Sequence, residues 1–449
     1  MVKNIRAIGL ASVAALTLSV AACGTGDGSS GGPGEQVTLQ YWLWDDLQQP
    51  AYQACADAFT EANPDIAIEI SQTAWNEYWQ NLTTQLASGS APDVWTNQAS
   101  YYPQFVTNNQ ILDIQPFVEE DGIDTTQYVA GLADIYVKDD ARYGLPKDWD
   151  TIALVYNNQM LEDAGIDPAT MQELTWNPTD GGTFEEVIAQ LTVDSSGRNG
   201  LDPDFDKDDV AVHGFLPEWA DGSQGQNGWG NLAVSNGFAY LDETMWGSEF
   251  HFDDPALAET LAWYRALIEK GYAPSLDVQS TMSRDTVMAD SGGAVTTLGS
   301  WAINAYASSD LEFTFAPLPV GPEGRKSAIN GLSDAIYAGT EHPEQAWEWV
   351  KFLASPECQN IVADEGVVFP AIQESSERAL AAREASGVDV SVFTETAAAA
   401  DGTFFLPVTE HGNEVSQIIQ DAMQSIALGQ GEAGPTLETA NEAVNALFD

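Results

Sequence analysis

Basic residues are scarce in this chain: 15 lysines and arginines stand against 68 aspartates and glutamates in 449 residues, a formal charge of −53. Nucleic acid and anionic membrane surfaces would both repel such a surface, so neither is an expected partner of the folded chain. Histidine is rarer still, and His213, His251, His342 and His411 show no zinc-ligand spacing. There is no G-x-S-x-G elbow and no phosphate-binding loop. The sequence calls for no cofactor and no metal. Cysteine is limited to Cys23, Cys55 and Cys358.

No hydrophobic run is long enough to span a bilayer comfortably. The longest, Ala7 to Val20, follows the positive charges of Lys3 and Arg6 and reads as an export signal. It leads into Val20-Ala21-Ala22-Cys23-Gly24, which resembles the bacterial lipobox, whose cysteine is acylated as the preceding peptide is removed. Residues 1–22 are therefore expected to be a lipoprotein signal peptide. Residues 23–36 are expected to be the lipidated Cys23 and a flexible tether, holding the protein on the outer face of the cytoplasmic membrane. Gly26 to Gly31 formally fits a dinucleotide fingerprint, but no strand precedes it and no helix follows. Cys55 and Cys358 remain as a pair outside the cytoplasm, open to a disulfide or to two buried thiols.

Aromatics are abundant: 14 Trp and 14 Tyr, many beside polar residues. From Val37 the chain alternates strands and helices. A strand at Val37 to Leu43, a helix at Pro50 to Ala62, a strand at Ile66 to Ile70 and a helix carrying Tyr78, Leu82 and Leu86 lead to a strand near Trp95. This pattern predicts βαβ units and a mainly parallel sheet, with ligands at the carboxyl ends of strands. Those ends carry Trp44, Asp45 and Asp46; Trp75 and Asn76; Asn97 and Gln98.

Farther along, Ser291 to Asn304 reads as a strand closed by Gly299-Ser300-Trp301, with Ser300 as the N-cap of a new helix. Trp301 could plug a core or present an indole to an uncharged polar ligand. Glycine-rich loops hold Trp219 and Trp229, and Phe404, Glu410 and Asn413 precede a helix at Glu414 to Leu428. In the acidic stretch Leu201 to Asp209, a calcium-loop reading from Asp202 meets Lys207 where glycine is needed and His213 where glutamate is needed, which leaves a solvated loop as the better reading and a calcium site of another kind as the alternative.

Several segments together resemble the extracellular solute-binding proteins of ATP-binding-cassette importers, in the carbohydrate-binding branch that includes maltose-binding protein. They are Leu86 to Asp93, Tyr143 to Asn157, Phe184-Glu-Glu-Val, His213-Gly-Phe, the stretch through Trp301, His342 to Gln359, and Gly366 to Pro370. The chain departs from the family at Ala294-Val295, where an apolar pair with methionine is usual.

The resemblance implies an α/β, two-lobed periplasmic-binding-protein-like fold with a hinge of three crossings, near Lys147 to Thr151, Ala328 to Ser333 and Arg378 to Val388. Lobe 1 would comprise 37–147 plus 331–378, and lobe 2 148–330 plus 379–449. Cys55 and Cys358 then fall in one lobe, which favours the disulfide.

The expected function is capture of a mono- or oligosaccharide and its delivery to permease subunits by a monomer that is not an enzyme. Indole faces would cover sugar C–H surfaces while carboxylates and amides take hydroxyls. The expected ligand-binding residues are Trp44, Asp46, Trp75, Asn97, Asp150, Trp219, Trp229, Trp301 and Glu410; the resemblance singles out Asp150 as an acidic crossing residue. Binding of a polyol, glycerol phosphate or polyamine, or a membrane-anchored glycosidase, are the alternatives.

Overall fold

Two long strands carry the molecule. In the computed structural model, which describes residues 36–449 apart from Ala130, Asp221 and 280–283, the strands Pro146–Asn157 and Ser327–Ile336 are buried along their whole length. Cys23, the expected signal peptide and most of the expected tether lie outside the described residues. In chain order the strands are β1 (Val37–Leu43), β2 (Ile66–Gln72), β3 (Val94–Asn97), β4 (Val137–Lys138), β5 (Ala141–Arg142), β6 (Pro146–Asn157) and β7 (Val193–Asp194). They continue as β8 (Val210–Leu216), β9 (Gly293–Gly299), β10 (Phe313–Ala316), β11 (Ser327–Ile336), β12 (Phe369–Pro370) and β13 (Thr403–Phe405).

The main sheet runs β2-β1-β3-β11-β6-β9-β8-β7, with β10 and β12 added to β6 and β13 added to β11. β4 and β5 form a separate hairpin. The pairs β1/β2, β1/β3, β8/β9 and β11/β13 are parallel, as the strand–helix alternation predicts. The centre departs from that expectation, because β6 is antiparallel to both β9 and β11, and β11 is antiparallel to β3. A strand that crosses from one half of a molecule to the other need not share the direction of the βαβ units on either side.

Side-chain alternation along β6 shows how one strand serves two cores. Ile152, Leu154 and Tyr156 enter one buried cluster with Phe184, Phe215, Trp219, Trp229, Trp263 and Val415. Ala153 and Val155 point the other way, into a cluster with Leu298, Phe315, Phe393 and the whole β1–β3 region. Successive strand residues face opposite sides, so a strand covered on both faces must be apolar throughout, as this half of β6 is.

The helix Gln49–Ala62 buries Tyr52, Cys55, Ala56 and Phe59 on one stripe, at spacings of three and four residues. Cys55 faces Cys358 on the helix Pro356–Glu365, and the two are joined in a disulfide with Cα atoms 5.2 Å apart. The bridge therefore fastens two segments 303 residues apart in sequence against one side of the β1–β3 sheet. Residues 378–388 form the end of the helix Gln373–Ala385 and the turn after it, leading into the helix Ser391–Ala398 packed on β6.

Candidate ligand-binding site

Where β6 and β11 lie side by side, Asp150 pairs with Asn330 and Asp148 with Leu332. Residues two apart on a strand share a face, so these four side chains form the floor of one cavity of about 290 Å³. That is near the lower end of the roughly 300–1,000 Å³ usual for small-molecule sites.

One wall comes from the carboxyl ends of β1 and β3. Trp44, Asp45 and Gln48 follow β1, Trp75 opens the helix Trp75–Ser88, and Gln98 follows β3. Trp44 and Trp75 meet edge to face, with centroids 5.0 Å apart, and Tyr78, Trp79 and Tyr101 pack around them. Trp79 and Tyr101 are stacked at 3.9 Å. This aromatic block fixes the Trp44 and Trp75 rings, so a ligand can meet their half-buried faces without first ordering them.

The opposite wall comes from the loops after β8 and β9: Glu218, Ser223, Gln226, Asn227 and Trp301. The ring of Trp301 folds back over Gly299, where a Cβ would lie about 2.0 Å from ring carbons, so glycine is required at that position. Ser300 is not the helix N-cap that its sequence position suggests. It begins a single 3-10 turn, Ser300–Ala302, and its buried hydroxyl caps no helix.

Electrostatically the site is acidic. The Gln226 amide donates to Asp150 across the cavity at 2.7 Å. Burial, followed by the charge of Asp148, raises the Asp150 pKa well above the usual carboxylate range, while the Gln226 and Asn330 amides act against that shift. Burial also pushes Asp148 up to about 6, against the pull of Lys147 and the Tyr52 hydroxyl, which donates to it at 3.0 Å. Asp45, raised by burial, accepts the Leu47 and Gln48 backbone N–H groups and the Gln48 amide. Glu218 pairs with Arg284 at 2.7 Å. Beneath the floor, Lys147 reaches Tyr41 and Thr96 at 3.0 Å and Asp334 at 3.5 Å, and lies 3.8 Å over the Tyr52 ring.

Of the residues expected to bind ligand, the structure gathers Trp44, Trp75, Asp150 and Trp301 around this cavity. The other five lie elsewhere. Asp46 is exposed, and it is its neighbour Asp45 that turns inward. Asn97 is fully buried behind the wall, with Gln98 in its place.

Trp219 and Trp229 are each 1% exposed and pack against Tyr264 and Tyr240 in the core. Trp229 opens the helix Trp229–Ser235, and the glycine-rich loop before it closes tightly over its ring. Gly225, at φ 83°, would place a Cβ 2.5 Å from the Trp229 indole.

Glu410 pairs with Lys138 at 2.8 Å, which holds its carboxyl below the usual value. Around that pair, Lys138 lies 4.2 Å over the Trp246 ring, whose Nε1 donates to the Val137 carbonyl, and Asn413 donates to Gln104.

Sequence reasoning missed Asp148, Gln226, Asn227 and Asn330. The two-residue spacing of Asp148 and Asp150 was the available signal for the first. In the Leu201 to Asp209 stretch, Asp202 and Asp206 accept backbone N–H groups of their own turns, and Asp194 is bonded to Arg198. Among the described residues no group of three or more His, Cys, Asp or Glu is placed to hold a metal ion.

A cavity walled by two sets of strand ends and floored by the strands that join them is the site of a two-lobed binding protein. Residues 44–360 match the family of bacterial extracellular solute-binding proteins, and the chain belongs to that family. It is 25% identical over 387 residues to the diacetylchitobiose-binding protein DasA of Streptomyces coelicolor, covering 82% of this chain and 81% of DasA. The crystal structure of UspC from M. tuberculosis superposes with a TM-score of 0.71 at 26% identity, covering 91% of this chain and all of UspC. The Listeria monocytogenes substrate-binding protein Lmo0181, solved with cycloalternan, gives a TM-score of 0.79 at 18% identity, with 92% and 99% coverage.

Proposed function

We propose that this protein captures a mono- or oligosaccharide between its two lobes and presents it to the permease of an ATP-binding-cassette importer. The observation that carries this reading is the pairing of surfaces in the cavity. Trp44, Trp75 and Trp301 supply ring faces, while Asp45, Asp148, Asp150, Gln98, Gln226, Asn227 and Asn330 supply hydrogen-bonding groups. A pyranose has this same division between C–H faces and an equatorial belt of hydroxyls. Hydrogen bonds from its hydroxyls to carboxylates are worth about 1.5–3 kcal/mol each. The diacetylchitobiose and cycloalternan bound by the relatives named above agree with this class of ligand.

The division at β6 and β11 supports lobes of 37–147 plus 331–378 and 148–330 plus 379–449. Closure of the lobes brings both walls onto the ligand, so a saccharide favours the closed population through contacts the open form lacks. The ligand leaves chemically unchanged. Cys23 would carry the lipid that holds the protein on the outer face of the membrane, as a monomer. A thermal-shift screen over mono- and oligosaccharides tests the reading, since a ligand at one hundred times its dissociation constant adds about 2.7 kcal/mol of stability. Stabilisation by amino acids, peptides or polyamines with no response to any saccharide would overturn it.

A further inference from the structure

Charge in the cavity is unbalanced in a way that a neutral sugar does not correct. Four carboxylates line it, Asp45, Asp148, Asp150 and Glu218, and among the described residues no Lys, Arg or His does. Arg284 answers Glu218 and is otherwise spent on Thr296 and the Thr297 carbonyl. Lys147, the nearest other cation, lies under the floor and is 2% exposed. Its ion-pair partner is Asp334, so one lysine faces both Asp334 and Asp148.

Besides Lys147, shared with Asp334, the groups that face Asp148 and Asp150 are neutral or acidic: Asn330, Leu332 and Asp334 on β11, Tyr52 on the helix Gln49–Ala62, Asp45 and Gln48 after β1, and Gln226 across the cleft. Hydroxyls of a neutral pyranose can donate to these carboxylates, yet they bring no positive charge to offset the burial of Asp148 and Asp150. Four indoles, those of Trp44, Trp75, Trp149 and Trp301, line the same cavity, and an indole face attracts a cation as readily as it covers a C–H surface.

Resting on the saccharide reading above, we infer that the preferred ligand carries a protonated amine: an amino sugar with its nitrogen free rather than acylated, its ammonium set between Asp148 and Asp150. An ammonium donates three hydrogen bonds, supplies the missing positive charge and is compatible with the ring faces.

The test is calorimetric titration of the protein at pH 7 with matched sets. These are glucose, glucosamine and N-acetylglucosamine, and then cellobiose, the β-1,4-linked glucosamine disaccharide and its diacetylated form. The free-amine member of a set is expected to bind at least tenfold tighter than its hydroxyl and N-acetyl counterparts. Asp148→Asn and Asp150→Asn are each expected to reduce that ratio, and raised ionic strength is expected to weaken the amine selectively. Equal or tighter binding of the hydroxyl or acetylated member overturns the amine inference and leaves the saccharide reading standing. An amine preference unchanged in both variants overturns the assignment to these two aspartates. Binding of none of the six sugars, alongside stabilisation by a non-saccharide solute, overturns both readings. Circular dichroism of the variants confirms that they are folded.

Discussion

Gln226 Nε2 donates to Asp150 Oδ1 at 2.7 Å, joining the loop after β8 to the strand that runs through both halves of the molecule. Asp150 lies on the cavity floor, and the Gln226 and Asn330 amides act against the rise that burial imposes on its pKa. Gln226→Ala is therefore expected to weaken saccharide binding by about 1.5–3 kcal/mol, the scale of a hydrogen bond to a charged group. Calorimetry on the folded variant checks this. An unchanged affinity would remove Gln226 from the site.

The tryptophans divide into two groups that substitution should separate. Trp44→Ala or Trp301→Ala removes a half-buried ring at the cavity and is expected to cost about 2 kcal/mol or more in binding, with little loss of stability. Trp219→Ala or Trp229→Ala empties a core position and is expected to cost about 3–5 kcal/mol in stability. Paired denaturation and titration curves on the four variants show whether the two groups differ as described.

The strand and helix order was readable because it rests on local chemistry. β1 and the helix carrying Tyr52, Cys55 and Phe59 follow from alternation and from three-to-four spacing within a dozen residues. The aromatic ends of β1 and the turn at Trp301 could be read the same way. Trp219 and Trp229 could not, because a ring in a glycine-rich loop has the same sequence whether the loop closes over it or displays it. Only the packing of Tyr240 and Tyr264 decides between the two. Asp45 and Asp46 likewise differ by one residue of turn geometry, set by the Leu47 and Gln48 backbone groups that Asp45 accepts. The antiparallel centre of the sheet depends on pairing between β6 and β11, more than 150 residues apart, and leaves no local mark.

The disulfide offers a test of how the first half of the molecule is held. Cys55→Ala with Cys358→Ala is expected to lower stability by about 2–4 kcal/mol, because the bridge restrains the unfolded chain across a long loop. Saccharide affinity should be preserved, since neither sulfur lies at the cavity. Urea denaturation with and without reductant measures the first effect and calorimetry the second.

Acidity should stabilise the ligand-free protein. Asp148 binds its proton more tightly when folded, at about 6 against an ordinary 3.8, so its contribution grows as pH falls through 6 and is lost as pH rises above it. Asp45, Asp150 and Asp334 are raised in the same direction by burial. Stability without ligand is expected to be higher at pH 5 than at pH 7, with Asp148 contributing on the order of 1 kcal/mol to the difference. Asp148→Asn should flatten the difference. Chemical denaturation at the two pH values decides it, and a steeper loss of stability at pH 5 would contradict this electrostatic account.

Lys138 of the β4–β5 hairpin pairs with Glu410 and lies over the Trp246 ring, whose Nε1 donates to the Val137 carbonyl. Trp246→Ala is expected to shift the population toward the open form and weaken binding, while Glu410→Gln, in a half-exposed pair worth about 0–1 kcal/mol, should change little. Small-angle scattering of the ligand-free variants reports the change in dimensions.

The central claim is that a saccharide is held between the two walls, and a titration followed by scattering tests it most directly. The account predicts that one or more saccharides reduce the radius of gyration of the wild-type protein in a saturable manner. It also predicts that the same titration of Trp301→Ala needs at least about tenfold more sugar, the equivalent of 1.4 kcal/mol. Binding without any reduction in dimensions, or an identical midpoint in the Trp301 variant, would contradict it.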